Sequence, residues 1–192
     1  PLLTDAQVRW FMGITVIFVA AITAWLVIVK GIVPLEALRH AAFNVVSLIS
    51  STGFVSVDYA LWGPFPVTAL FFLMCIGGCT GSTAGGIKIF RFIVLHAIAK
   101  NQIARLVRPH GVFVPTFNAR PVSDTAAIAV MAFVAMFGLS FAAFALLLSM
   151  LGLDYLTAMS ASVTALANVG PGLGETIGPA GNFSTVPESA KW

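Results

Sequence analysis

Charge is what this chain has least of. Of its 192 residues only 9% are charged, against roughly a quarter in an ordinary soluble domain. Ten Lys and Arg with seven Asp and Glu cannot furnish the polar surface that a globular chain of this length needs in water. Cysteine is almost absent too. Cys75 and Cys79 stand four apart in an apolar stretch, with no second pair and no histidine at ligand spacing. They read as packing residues, not as a metal or disulfide site. Without a long basic run or an acidic tail, nucleic acid is not an expected partner. His40, His96 and His110 stand apart, and the apolar spans hold no paired acids and no nucleophile beside a base. An enzyme is not expected.

What the chain has in excess is apolar surface: 59% hydrophobic residues and a mean hydropathy of +0.99. The lipid bilayer is the solvent this composition suits. From Trp10 to Val29 runs an apolar stretch of about twenty residues, enough at about 1.5 Å per residue to cross a hydrocarbon core near 30 Å thick. Pro34 then opens a shorter helical pattern through Ile49 that carries Glu36, Arg39, His40, Asn44 and Ser47. It is too short and too polar to span against lipid. A block from Phe65 to about Ile98 is cut by Gly77, Gly78, Cys79, Thr80, Gly81, Ser82, Thr83, Ala84, Gly85 and Gly86. Each glycine costs a helix nearly ~1 kcal/mol relative to alanine, so two half-helices joined by an irregular turn are predicted.

After a hydrophilic stretch from Lys100 to Asp124, in which Pro109, Pro115 and Pro121 prevent a continuous helix, Ala126 to Leu151 forms a second full span. Asp154 reads as the N-cap of another short helix through about Leu166, ending in Ala167, Asn168, Val169, Gly170 and Pro171. The order therefore repeats. Aligning Gly53 on Gly170 sets VVSLISSTG over SVTALANVG and pairs Ser47 with Thr164 and Ser51 with Asn168.

Lys88, Arg91, Lys100, Arg105, Arg108 and Arg120 lie on or beside the connection between the two repeats, which the positive-inside rule places in the cytoplasm. Both short helices then enter from the opposite face, where Glu36, Asp58, Asp154, Glu175 and Glu188 fall and would collect cations. Non-helical backbone at membrane depth is tolerated only where protein or a water-filled cavity satisfies it. A helix ending there directs about half a negative charge at the cavity. Carbonyls of Ser51, Thr52, Gly53 and Phe54, and of Asn168, Val169 and Gly170, can replace an ion's hydration shell. The plain alternative is two ordinary C-cap glycines. Their repetition with matched polarity favours a pore.

The glycine-rich break has competing readings. A phosphate loop needs Gly-Lys-Ser/Thr, whereas Gly86 is followed by Ile87 and Lys88 and no strand precedes it, which excludes that reading. A small-residue packing surface is a second reading. A flexible turn that obstructs or opens the path just inside the filter is the one favoured. Lys88 and Arg91 are expected to snorkel to the cytoplasmic interface; the alternative has Lys88 hold the turn through its carbonyls.

Together GGCTGSTAGGIK, STGF, NVGPGLG and NFSTVPESAKW resemble the TrkH and KtrB family of bacterial potassium-uptake proteins, on the TrkH side, over essentially all of the chain. The resemblance implies an all-α membrane protein of potassium-channel-like repeats, each an outer helix, a re-entrant pore helix with a filter loop, and an inner helix. Residues 1–107 would be the third of four repeats: span about 10–29, pore helix about 35–50, filter 51–54, broken inner helix about 65–99. Residues 108–122 would be the cytoplasmic connection. Residues 123–192 would be the fourth repeat without its inner helix: span about 126–151, pore helix about 154–166, filter 167–171.

Pro1 is not an initiator and no signal peptide precedes the first span, while VPESAKW leads toward a further element at Trp192. The chain reads as an internal fragment. The resemblance further implies K+ held by carbonyls of Thr52, Gly53, Asn168 and Val169, no organic cofactor, and a gating loop of Gly77, Gly78, Cys79, Thr80, Gly81, Ser82, Thr83, Gly85, Gly86 and Lys88. It implies a homodimer in the bacterial inner membrane, filters open to the periplasm, and a cytosolic nucleotide-binding ring of the TrkA type as partner. Each filter has one glycine, with Phe54 and Pro171 in place of the rest of a TVGYG run. Permeation of potassium with some sodium is therefore expected. An ion-coupled secondary transporter built on discontinuous helices is the alternative, but neither span buries the charge such proteins use.

Overall fold

The computed structural model describes residues 5–108, 111, 113–118, 120–174, 176–181, 184 and 186–190. Pro1, Thr4, Pro109, His110, Glu175, Trp192 and part of the terminal NFSTVPESAKW, all named above, lie outside the described residues. The described residues are mostly helical, and several helices start where local chemistry predicts. Asp5 caps α1 (Ala6–Ile28) by accepting from the Gln7 amide at 2.7 Å. Pro34 sits in the first turn of α2 (Pro34–Ile49), where its missing N–H has no cost. Ser123 caps α5 (Asp124–Met150) and Asp154 caps α6 (Tyr155–Ala167).

Two of these helices, α1 and α5, are long and apolar enough to cross a membrane, yet only 17% and 11% of their most apolar stretches is buried inside the protein. A soluble core helix would be covered. Leu139, Leu146 and Met150 of α5 and Val16, Ile17 and Ile28 of α1 are instead exposed, as lipid-facing residues are.

Between the spans, α1 packs along α2 and α5 along α6. Ala37 and Ala41 of α2 are fully buried and let the first pair approach closely. The core lies where the short helices end: Ile22 and Leu26 of α1, Val45, Leu48 and Ile49 of α2, Leu70 and Leu73 of the next helix, and Val163 and Ala167 of α6 form one cluster. Val169 and Leu173, beyond α6, belong to the same cluster. The turns are thus part of the packed interior.

The block cut by glycines is α3 (Pro64–Met74) and α4 (Ile89–Val107). Their junction is more ordered than an irregular turn. β1 (Ile76–Gly77) and β2 (Ile87–Lys88) pair in parallel, Ile76 with Ile87 and Gly77 with Lys88, and close the neck of the loop. A Cβ on Gly77 would meet the Gly85 carbonyl, so only glycine lets the neck close.

Helix α4 continues to Val107, past the expected end near residue 99, so Lys100 and Arg105 are helical. The reason is local: Lys100 to Val107 contains neither Gly nor Pro. The connection then turns through a small antiparallel hairpin of β3 (Thr116–Phe117) and β4 (Arg120–Pro121), which the prolines alone did not indicate.

The Asp154 cap makes a pH-dependent contribution. The Thr157 hydroxyl dipole beside the carboxylate and the Thr157 amide, 3.1 Å from Oδ2, hold the carboxyl below its ordinary 3.8. A carboxylate whose pKa falls on folding stabilises the fold above its unfolded pKa and loses that contribution as pH falls through the folded one. Asp154→Ala should cost about 1 kcal/mol at neutral pH. The cost should shrink below about pH 4, as thermal unfolding in detergent at both pH values would show. An equal cost at both would contradict this account.

A candidate cation path between two glycine turns

At the end of α2 the backbone folds back in a Schellman arrangement: Thr52 N donates to Ser47 O at 2.9 Å and Ser51 N to Leu48 O at 3.1 Å. Ser51 takes the left-handed conformation, φ 54, which costs a residue with a Cβ about 1 kcal/mol or more. Gly53 follows with φ 76. The end of α6 repeats this course. Val169 N donates to Thr164 O at 3.1 Å, Asn168 has φ 52 and Gly170 φ 106. Ser47 corresponds to Thr164 as carbonyl acceptor, and Ser51 to Asn168 as left-handed residue.

Polar side chains of the short helices then fasten the departing strands. Thr164 Oγ1 accepts from Gly170 N at 3.0 Å and donates to Pro171 O at 3.2 Å. Ser160 Oγ donates to Leu173 O and accepts from Leu173 N, both at 3.0 Å. On the first turn Asn44, fully buried, donates to Ser56 Oγ at 2.8 Å and accepts from Ser56 N at 3.3 Å. His40 Nδ1 adds a contact to Ser56 Oγ at 3.2 Å. In both turns the residue three beyond the glycine is thereby pinned to its helix. Ser160 and Ser56 escaped the sequence reading. Their signal was the run of small polar residues on short apolar helices, noted for Asn44 and Ser47 without assigning partners.

The two turns meet. A Cβ on Gly53 would lie 2.5 Å from the Val169 carbonyl oxygen and 3.2 Å from Cδ of Pro171, and one on Gly170 would lie 3.8 Å from the Gly53 Cα. Ser51 Oγ lies 3.5 Å from the Ala167 carbonyl, which it can donate to only weakly. Two helix C-termini and their partial negative charge therefore converge. Val169 is buried, whereas Thr52, Phe54, Asn168 and Gly170 are exposed, Phe54 by 69%. Thr52 bonds only locally among the described contacts, its hydroxyl 2.7 Å from Ser50 Oγ.

Against this junction packs the glycine-rich loop. A Cβ on Gly85 would overlap the Ala167 carbonyl, and one on Gly86 would lie 3.3 Å from the Ala167 Cβ. Gly77 and Gly78 are buried in the neck, Cys79 is half-buried, and Thr80, Gly81, Ser82 and Thr83 are exposed. Cys79 O accepts from Ser82 N at 3.1 Å and Ser82 Oγ at 2.7 Å. The expected snorkelling of Lys88 is corrected. Its Nζ donates to Ser82 O at 2.8 Å, Ser82 Oγ at 3.1 Å and Ala84 O at 2.5 Å, because the β1–β2 neck puts Lys88 under the loop. Arg91, half-buried, lays its guanidinium 3.6 Å from the Phe133 ring centroid.

The family model described as TrkH, cation transport protein, matches residues 1–191. The chain is 47% identical over 191 residues to the Trk system potassium uptake protein TrkI of Halomonas elongata, covering 100% of this chain and 39% of that one. It is 32% identical over 190 residues to TrkH of Escherichia coli K12, covering 98% and 38%. The crystal structure of the potassium transporter TrkH from Vibrio parahaemolyticus matches with a TM-score of 0.91 and 33% identity, over 100% of this chain and 40% of that one. The chain thus spans about 40% of the length of these proteins.

Thr164→Val should leave the Gly170 amide and Pro171 carbonyl without their partner and destabilise the fold by about 1–3 kcal/mol, whereas Thr164→Ser should cost under about 1. Thermal unfolding of both variants decides: equal losses would place the effect in packing and not in the hydroxyl.

Proposed function

Because the chain belongs to the TrkH family of cation transport proteins, we propose that it forms two of four quarters of a potassium-conducting pore. The observation that carries this reading is the junction at Gly53, Val169 and Gly170, where two helix C-termini stop together beside partly exposed, non-helical backbone. A cation arriving there loses water and gains carbonyl oxygens, those of Thr52, Gly53, Asn168 and Val169, held in place before it comes. The fastening by Asn44, Ser160 and Thr164 supports that role, since a filter whose oxygens could relax would discriminate less.

Residues 1–107 supply the third repeat and 123–192 the start of the fourth, joined by 108–122. Gly53 is covered by the Val169 carbonyl, while among the described residues Gly170 has only the Gly53 Cα within reach. Repeating the first contact round a ring would bring a carbonyl of another repeat to Gly170. The relatives are named potassium uptake proteins, and potassium is the ion we assign, with some sodium, because Phe54 and Pro171 end each carbonyl run after one glycine. The filters face the periplasm and the basic connection the cytoplasm of a bacterial inner membrane. There the complete protein is a homodimer, and the connection meets a nucleotide-binding ring of the TrkA type.

The loop 78–86 is the gate. It lies against Ala167, on the inner side of the filter, and Lys88 binds it by three hydrogen bonds. In that place the loop obstructs the path and brings an ammonium charge near it, which opposes a second cation. Opening requires the Lys88 bonds to exchange for water.

Rubidium uptake into vesicles holding the full-length protein tests both parts. Gly53→Val, with a positive φ and no room for a side chain, should reduce uptake more than tenfold; uptake within twofold of the unsubstituted protein would remove the filter assignment. Reversal potentials should give a potassium-to-sodium permeability ratio well below the hundreds, and a ratio in the hundreds would contradict the single-glycine argument. Lys88→Met, and likewise a shortened Gly77 to Gly86 run, should raise uptake in the absence of the regulatory partner. No change in either would count against the gate.

A further inference from the structure

The loop is held at a second place, away from Lys88. Gln7 Oε1, in the first turn of α1, accepts from the Thr80 amide at 2.9 Å across 73 residues of chain. Thr80 is exposed and follows Cys79, so this bond holds the exposed part of the loop and not the part, Gly85 and Gly86, that meets Ala167. The first four N–H groups of a helix lack intrahelical partners, and in α1 two of them are satisfied from different parts of the chain. Gln7 N donates to Asp5 Oδ1 at 2.7 Å. Ala6 N donates to Asn118 Oδ1 at 3.1 Å across 112 residues.

Asn118 stands at the tip of the β3–β4 hairpin in the left-handed conformation, φ 47. Its neighbour Phe117 meets Phe90 edge-on, ring centroids 4.9 Å apart, and Phe90 is two residues from Lys88. The hairpin, the start of α1 and the start of α4 are therefore tied to one another and, through Gln7 and Lys88, to two places on one loop, Thr80 and Ser82 to Ala84.

We infer that Gln7 is a positioning residue for the intramembrane loop, and that Asn118 acts through it by fixing the turn from which Gln7 reaches Thr80. This rests on the reading of the loop as the gate. A segment with five glycines in ten residues, Gly77, Gly78, Gly81, Gly85 and Gly86, loses much entropy in any one conformation. It stays in one place only while its exposed end is anchored. Lys88 anchors Ser82 and Ala84; Gln7 anchors Thr80. Moving the hairpin, which projects from the connection between the repeats, would pull on the first turn of α1 and slacken the Thr80 anchor without touching the filter.

The test uses full-length protein in vesicles without its regulatory partner, with rubidium uptake as readout. Losing one partly exposed N–H···O bond should shift the loop equilibrium by roughly two- to tenfold. Gln7→Leu should raise basal uptake by that factor, and Gln7→Glu, which keeps an acceptor oxygen, should stay within about twofold of the unsubstituted protein on the same scale. Asn118→Ala should raise uptake, and the double variant Gln7→Leu/Asn118→Ala should not exceed Gln7→Leu alone. Hydrogen exchange gives a second readout independent of transport: the amides of 79–83 should exchange faster in Asn118→Ala while those of 65–74 do not.

Unchanged uptake in Gln7→Leu, equal rises in Gln7→Leu and Gln7→Glu, additive effects in the double variant, or unchanged exchange at 79–83 would each overturn the inference. A shortened loop separates the two readings. If shortening raises uptake while Gln7→Leu does not, the anchor fails and the gate stands; if neither raises it, the gate itself fails.

Discussion

A helix that ends in the interior of a protein leaves its last carbonyls without partners, and both α2 and α6 end that way, side by side. Much of the rest of the fold answers this one constraint. Some carbonyls are taken by the amides that fold back on them, as Ser47 O is by Thr52 and Thr164 O by Val169. The strands that follow are then fastened by side chains of the same helices, Asn44 to Ser56, Thr164 to Gly170 and Pro171, Ser160 to Leu173. The Ser160–Leu173 pair is buried and the others are partly buried on the helix side, where a polar group left unpaired is costly. Rigid backbone carrying exposed carbonyl-bearing residues at a shared point is the outcome, and cation binding is the chemistry such a point supports.

The loop below the junction obeys a different rule. Glycine is required where backbone meets backbone, at Gly77 against Gly85 and at Gly85 against Ala167. Elsewhere it removes order: among the described residues nothing lies within 4 Å of the position a Cβ would occupy on Gly81. The segment is tight at its neck and at the junction and loose at its exposed end. Its anchors there are few and polar, supplied by Lys88 and Gln7. Hydrogen bonds of this kind contribute little net free energy each, as the proposed gate requires.

How far the sequence could be read follows from the range over which each signal acts. Helix starts were legible because Asp154 and Pro34 act within one turn, and the spans because twenty apolar residues have one solvent. The pairing of Ser47 with Thr164 and Ser51 with Asn168 was legible because both turns solve the same problem with residues of similar size. The extent of α4 was obscured by charge: Lys100 and Arg105 looked like connection, yet charge does not end a helix, and no Gly or Pro stands before residue 107. Lys88 was misplaced because snorkelling is a rule for a lysine facing lipid, and which way it faces depends on the β1–β2 ladder.

By itself the sequence determined the solvent, the segments that span it, the two places where a short helix stops at a glycine and the residues available to hold each turn. These depend on composition and on neighbours a few positions away. Only the tertiary structure decided that the two stops coincide, that Gly53 lies beneath the Val169 carbonyl, that Gly85 lies beneath that of Ala167, and that Lys88 and Gln7 grip one loop from two sides. Apart from the Lys88 bonds, which reach back four to six residues, each of these joins residues dozens of positions apart. A contact at that separation exists only once the helices have packed, because nothing local to either residue favours it.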